Sequence, residues 1–197
     1  KWDPGVPTPP SITVQPVDLS VREGSPATFS VTAAGSAPLT YRWFRNDMPV
    51  TGLTSNKYTI VSAAFGDNGA TYSCLVSNVA GTVTSRAATL TVKAMGVLTA
   101  TLAPAEATAQ GAKWSVNAGT SWLTSGGSTN VEVGPYTITF TNLTGWITPA
   151  PVSGFQVLHG VTNSVSGVYT AILPSGARVI AGTNVTVVVR APAGLST

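Results

Sequence analysis

From Ile12 onward the chain alternates apolar and polar positions in short runs. "SITVQP", "ATFSVTA", "LTYRWFRN", "NKYTIVSA", "ATYSCLVSN" and "AATLTV" each place apolar or aromatic side chains at roughly every second residue. A period of two marks a strand with one face on a core and the other in water. Turn-forming residues separate the runs at Glu23-Gly24, Gly35 to Pro38, Asn46-Asp47, Asp67 to Gly69 and Asn78 to Gly81. Short strands at this regular spacing predict a β-sandwich. No stretch carries a convincing helical period, so the expected fold class is all-β, built as tandem β-sandwich modules.

"VKAMG", residues 92–96, marks a boundary, and a second β-rich unit is expected over 97–170. Its strands read as "VLTATLAP", "AKWSVN", "NVEVG", "YTITFTN", "FQVLH" and "TNSVSGVYT", punctuated by Gly126-Gly127, Gly134-Pro135 and Gly145. The remainder, 171–197, holds two further strands. Two strands do not make a stable unit by themselves, so this stretch reads as the start of a truncated third module or a tail. At the other end "KWDPGVPTPP" is rich in proline, which keeps a chain extended and semi-rigid. The expected organisation is a linker over 1–9, a first module over 10–93, a second over 97–170, and the strands of 171–197.

Composition narrows the function. Hydrophobic residues make up 43% of the 197, enough for a core, while only 9% are charged, against roughly 25% in ordinary soluble domains. Between 94 and 170 the charged residues are Glu106, Lys113 and Glu132, so backbone ladders and aromatic burial, not salt bridges, must hold that unit. The net charge is +3, but the basic residues are scattered, whereas a nucleic-acid surface needs a clustered stripe. No nucleic-acid partner is expected. No apolar run reaches the ~20 residues that cross a bilayer as a helix. The chain begins at Lys1 rather than Met, which reads as an internal piece of a longer precursor, and the composition suits an extracellular bacterial protein.

Residues 10–92 carry a more specific pattern. "PPSITVQP", "EGSPATFSV", "PLTYRWFRN", "YTI", "DNGATYSC" and "VSNVAGT" occur in order, and together they resemble an immunoglobulin-like domain of the I-set type. The resemblance implies that Trp43 is the core tryptophan of strand C. It makes Tyr72, two residues before Cys74, the tyrosine-corner residue, with Asp67 steadying the turn before it and Cys74 on strand F. It also implies a cysteine on strand B, where this chain has Val31. Cys74 is the single cysteine of the chain, so the family's disulfide is absent, and Cys74 is expected to be a buried, inert core thiol packed near Val31. "LTATLAPAEATAQGAKWSVNAG", "VEVGPYTITFTNLTGWITP" and "SVSGVYT" resemble a small PEGA-like β-rich repeat of bacterial extracellular multidomain proteins.

The search for chemistry is short. A Ser-His-Asp triad needs a histidine, and the single one, His159, sits in "QVLHG", which reads as a strand end or turn. Glu106 and Glu132 carry no mark of a glycosidase pair. One Cys and one His do not build a zinc centre, and no phosphate-cradling glycine motif occurs. No enzyme activity, metal or cofactor is therefore expected. Recognition by surface remains. Trp122 ("TSWLTSGG") and Trp146 ("LTGWITP") lie near glycine-rich turns and are the candidate ligand contacts, through sugar stacking; they can equally close the ends of a sandwich.

The reading that results is a non-catalytic structural or adhesive segment, a spacer or binding region, of a large secreted or surface-attached bacterial protein. Its expected partners are other modules of the same chain, surface proteins or polysaccharides. The alternative is an accessory carbohydrate-binding region of a secreted polysaccharide-degrading enzyme whose catalytic domain lies outside this chain.

Overall fold

The computed structural model describes residues 5–173. The first residues of the proline-rich linker, with Trp2, and the strand-prone "TNVTVVVRA" of the expected third module lie outside them. The structure is all-β, and its contacts divide the chain into two units. Among the described residues, one runs to Gly96 and takes in Asn130–Val133 and Leu158–Val161; the other comprises Val97–Thr129, Gly134–Val157 and 162–173.

The larger sheet of the first unit follows the order Leu19–Arg22, Ala88–Lys93, Thr71–Asn78, Thr40–Arg45, Met48–Pro49, and Gly81–Thr84 also pairs with Thr71–Asn78. Ala27–Ser30 pairs with Lys57–Ile60, and Ser11–Val14 with Thr32–Ala34. Alternation explains the packing. Along Thr71–Asn78, Tyr72, Cys74 and Val76 are buried while Ser73, Leu75 and Ser77 are partly exposed. Phe29 and Val31 join Trp43, Cys74, Val76 and Leu90 in one buried apolar cluster. Asn46 and Asp47, with φ of 48° and 61°, form the two-residue turn between Thr40–Arg45 and Met48–Pro49. Both are residue types that tolerate the left-handed region.

Two sheets also make the second unit. Met95–Ala103 lies between Ser128–Glu132 and Thr162–Val168, with the last pairing parallel. The other sheet runs Leu123–Thr124, Lys113–Ser115, Gly134–Phe140, Val152–Val157. Leu98, Ala100 and Leu102 are buried from the first sheet, and Trp114, Ile138, Phe140 and Val157 from the second. Gly167 is glycine for a packing reason: a Cβ there would stand 2.5 Å from Phe140 Cε1, so the bare backbone is what admits the ring. Trp146–Ile147 forms a short ribbon with Thr170–Ala171.

Among the described residues, helix is confined to two short pieces. Ala105–Ala109 is a short α-helix and Phe65–Asp67 a 3-10 turn. The first spans fewer than two turns and buries one residue, Ala107, so it leaves no repeating apolar stripe in the sequence. Among the described residues no helix is long and apolar enough to cross a membrane.

Candidate functional site

Of the residues singled out in the first unit, Val31, Trp43, Tyr72 and Cys74 lie in its buried cluster, and Asp67 is partly exposed. Trp43 and Cys74 are cross-strand partners, and both are fully buried, with Val31 and Tyr72 almost so. Trp43 Nε1 donates to the Ser55 carbonyl at 2.9 Å, which satisfies the one polar atom of the side chain. The Tyr72 ring stacks on Phe29 with centroids 4.5 Å apart. Its hydroxyl accepts from Arg45 Nε at 3.2 Å. Arg45 Nη2 also donates to Asp67 Oδ1 at 2.7 Å, and Asp67 Oδ2 accepts from the Ala64 amide at 3.0 Å. Asp67 thus ties the 3-10 turn to the Thr40–Arg45 strand.

Burial pushes the Cys74 thiol up to about 11. At pH 8 such a thiol is thiolate in roughly one molecule in a thousand, and the thiolate is the nucleophile. We expect Cys74 to resist a maleimide or disulfide reagent at pH 8 in the folded chain and to react within minutes once urea unfolds it. Rapid stoichiometric labelling of the folded chain would contradict a sealed core thiol.

Among the described residues, the carboxylates and the histidine singled out by the sequence have these settings. In the first unit Arg22, and then Lys93, hold the Glu132 carboxyl below its usual range, the opposite of what a general acid needs. Glu106 lies in the short helix of the second unit. His159 is in a turn of the first unit, with Nε2 2.9 Å from Glu23 Oε2 and its ring 4.7 Å from that of Phe65. Among the described residues no hydroxyl or thiol bonds to its other nitrogen. No group of three or more His, Cys, Asp or Glu side chains placed to hold a metal ion occurs among the described residues.

The two candidate tryptophans of the second unit part company. Trp146 is half-buried in its ribbon, and its Nε1 donates to Gln110 Oε1 at 3.0 Å. Trp122 is 38% exposed and belongs to an ordered loop. Buried Ser115 starts that loop: its Oγ donates to Asn117 Oδ1 at 2.7 Å and accepts the amides of Asn117 and Gly119 at 3.2 and 3.0 Å. Asn117 Oδ1 also accepts the Ser121 amide at 3.0 Å, Asn117 Nδ2 donates to Ser121 Oγ at 2.9 Å, and Thr120 Oγ1 donates to the Asn117 carbonyl at 2.9 Å. This network holds Ala118 at φ 54°, a left-handed conformation that costs a non-glycine residue on the order of 1 kcal/mol. The Trp122 ring lies over Gly119, where a Cβ would stand 2.9 Å from Cζ2. Nothing in the sequence pattern separates Trp122 from Trp146; the difference rests on Gln110 and Gly119, which only the fold brings to the rings.

Comparison with known proteins is partial. Residues 9–78 match the family model described as "Immunoglobulin domain", so the chain carries an immunoglobulin-like domain. Over 92 residues, 45% of the chain, it is 39% identical to Endoglucanase C of Cellulomonas fimi, and it spans 8% of that enzyme's length. Titin domain M7 is 28% identical at a TM-score of 0.41, covering 46% of this chain and 99% of that one. An I-band fragment from titin is 17% identical at a TM-score of 0.43, covering 81% of this chain and 65% of that one.

Proposed function

We propose that this chain is a non-catalytic accessory segment of a larger secreted bacterial protein that acts on polysaccharide, and that it contacts the polysaccharide itself. The observation that carries the reading is the 39% identity to a stretch of Endoglucanase C. It is supported by an exposed tryptophan on an ordered polar loop. Within this reading the first unit is an I-set type immunoglobulin sandwich without its disulfide, and the second a PEGA-like repeat.

The test is retention of the 197-residue chain on a panel of insoluble polysaccharides, cellulose, chitin, xylan and mannan, with soluble oligosaccharide as competitor. Retention on at least one neutral polymer, released by its own oligosaccharide, is expected. Absence of retention across the panel would contradict the reading. It would favour a second one, carried by the immunoglobulin-like domain: a spacer or adhesive segment that meets surface proteins.

A further inference from the structure

We propose that the loop 117–122 is a saccharide-contacting site in which the indole of Trp122 stacks on one neutral sugar ring and donates its Nε1–H to a sugar hydroxyl, while Trp146 takes no part. This inference rests on the polysaccharide-binding reading above and names the atoms that would carry it.

The indole nitrogens make the first argument. Four tryptophans lie among the described residues. Trp43 donates to Ser55, Trp114 to the Thr124 carbonyl at 3.0 Å, and Trp146 to Gln110. Trp122 alone of the four has no acceptor for its N–H among the described residues, and it is the one counted with the exposed large hydrophobic side chains. A ring with an apolar face and an unassigned donor at its edge suits a ligand that is apolar on one side and hydroxylated around its rim. A pyranose has that character, with C–H groups on its face that the negative face of an indole attracts.

Order makes the second argument. A flexible loop loses freedom when a ligand fixes it, and that loss is subtracted from affinity. Here Ser115, Asn117 and Ser121 already lock the backbone, and one side of the indole is seated on Gly119. The ring is therefore held ready before any ligand arrives.

Charge makes the third. From Trp114 to Val131 the sequence contains no charged residue. The loop offers exposed Asn117, Thr120 and Ser121 beside the ring, all of them neutral hydrogen-bonding groups. The loop itself carries no charge, which suits a neutral polysaccharide.

The experiment titrates the 197-residue chain and its variants with soluble neutral oligosaccharides of the polymer it binds. Trp122→Ala is expected to weaken binding at least about tenfold, a loss of about 1.4 kcal/mol, with only a small fall in melting temperature, because the ring lies outside the buried core. Gly119→Ala keeps the indole but strains the backbone at φ 84° and crowds Cζ2, and through that shift of the loop it is expected to weaken binding too. Trp122→Phe keeps stacking without the N–H donor and should fall between Trp122→Ala and the parent. Trp146→Ala should bind like the parent. If the parent binds and Trp122→Ala binds equally well, the site assigned here is wrong while the polysaccharide reading stands. If the parent binds no polysaccharide, both fall together.

Discussion

Replacing Trp43 by alanine is expected to destabilise the first unit by about 3–5 kcal/mol, the range for truncating a buried aromatic ring. Trp43 is fully buried and pairs across the sheet with Cys74. It also satisfies the Ser55 carbonyl and lies 6.1 Å from the Tyr58 ring. Its loss leaves a cavity at the centre of the sandwich and an acceptor without its donor. Whole domains are stable by roughly 5–15 kcal/mol, and this one has no disulfide in reserve, so a large fraction of the variant should be unfolded at low urea. Urea titration followed by circular dichroism measures it. A shift below about 1 kcal/mol would mean that the core is not organised around this ring.

Restoring the missing cysteine should act in the opposite direction. Val31 and Cys74 belong to the same buried cluster, one on each side of the sandwich core. With Val31→Cys, oxidation is expected to link the two thiols and to stabilise the unit by about 2–4 kcal/mol, chiefly by restricting the unfolded chain. Intact mass and thiol titration report the bond, and urea unfolding with and without reductant reports its effect. A variant that keeps two free, buried thiols under mild oxidant would show that the two positions do not face each other at bonding distance.

Much of this was legible in the alternation of the chain. The Thr71–Asn78 strand reads Tyr72, Cys74 and Val76 inward, and those residues are buried. The Leu19–Arg22 strand was not evident, because its side chains are at most partly buried and it is defined by parallel pairing with Leu90 to Lys93. The two-residue strands Met48–Pro49, Leu123–Thr124 and Trp146–Ile147 are likewise creations of their partners. A pattern of period two has nothing to say about a strand too short to repeat it. The same limit applied to the tryptophans. Trp114 alternates with buried Ala112 and reads as core, but Trp122 and Trp146 look alike until Gln110 is seen to engage one indole and Gly119 to seat the other.

If the chain meets a neutral polysaccharide through the Trp122 ring, the indole N–H resonances will register the contact. Each tryptophan gives its own signal in a nitrogen-proton spectrum, assignable by single substitutions. On addition of a neutral oligosaccharide of the bound polymer, the Trp122 signal is predicted to move in proportion to occupancy while those of Trp43, Trp114 and Trp146 stay in place. A shift at Trp146 with Trp122 unmoved, or no shift at Trp122 at saturating oligosaccharide, would contradict the account.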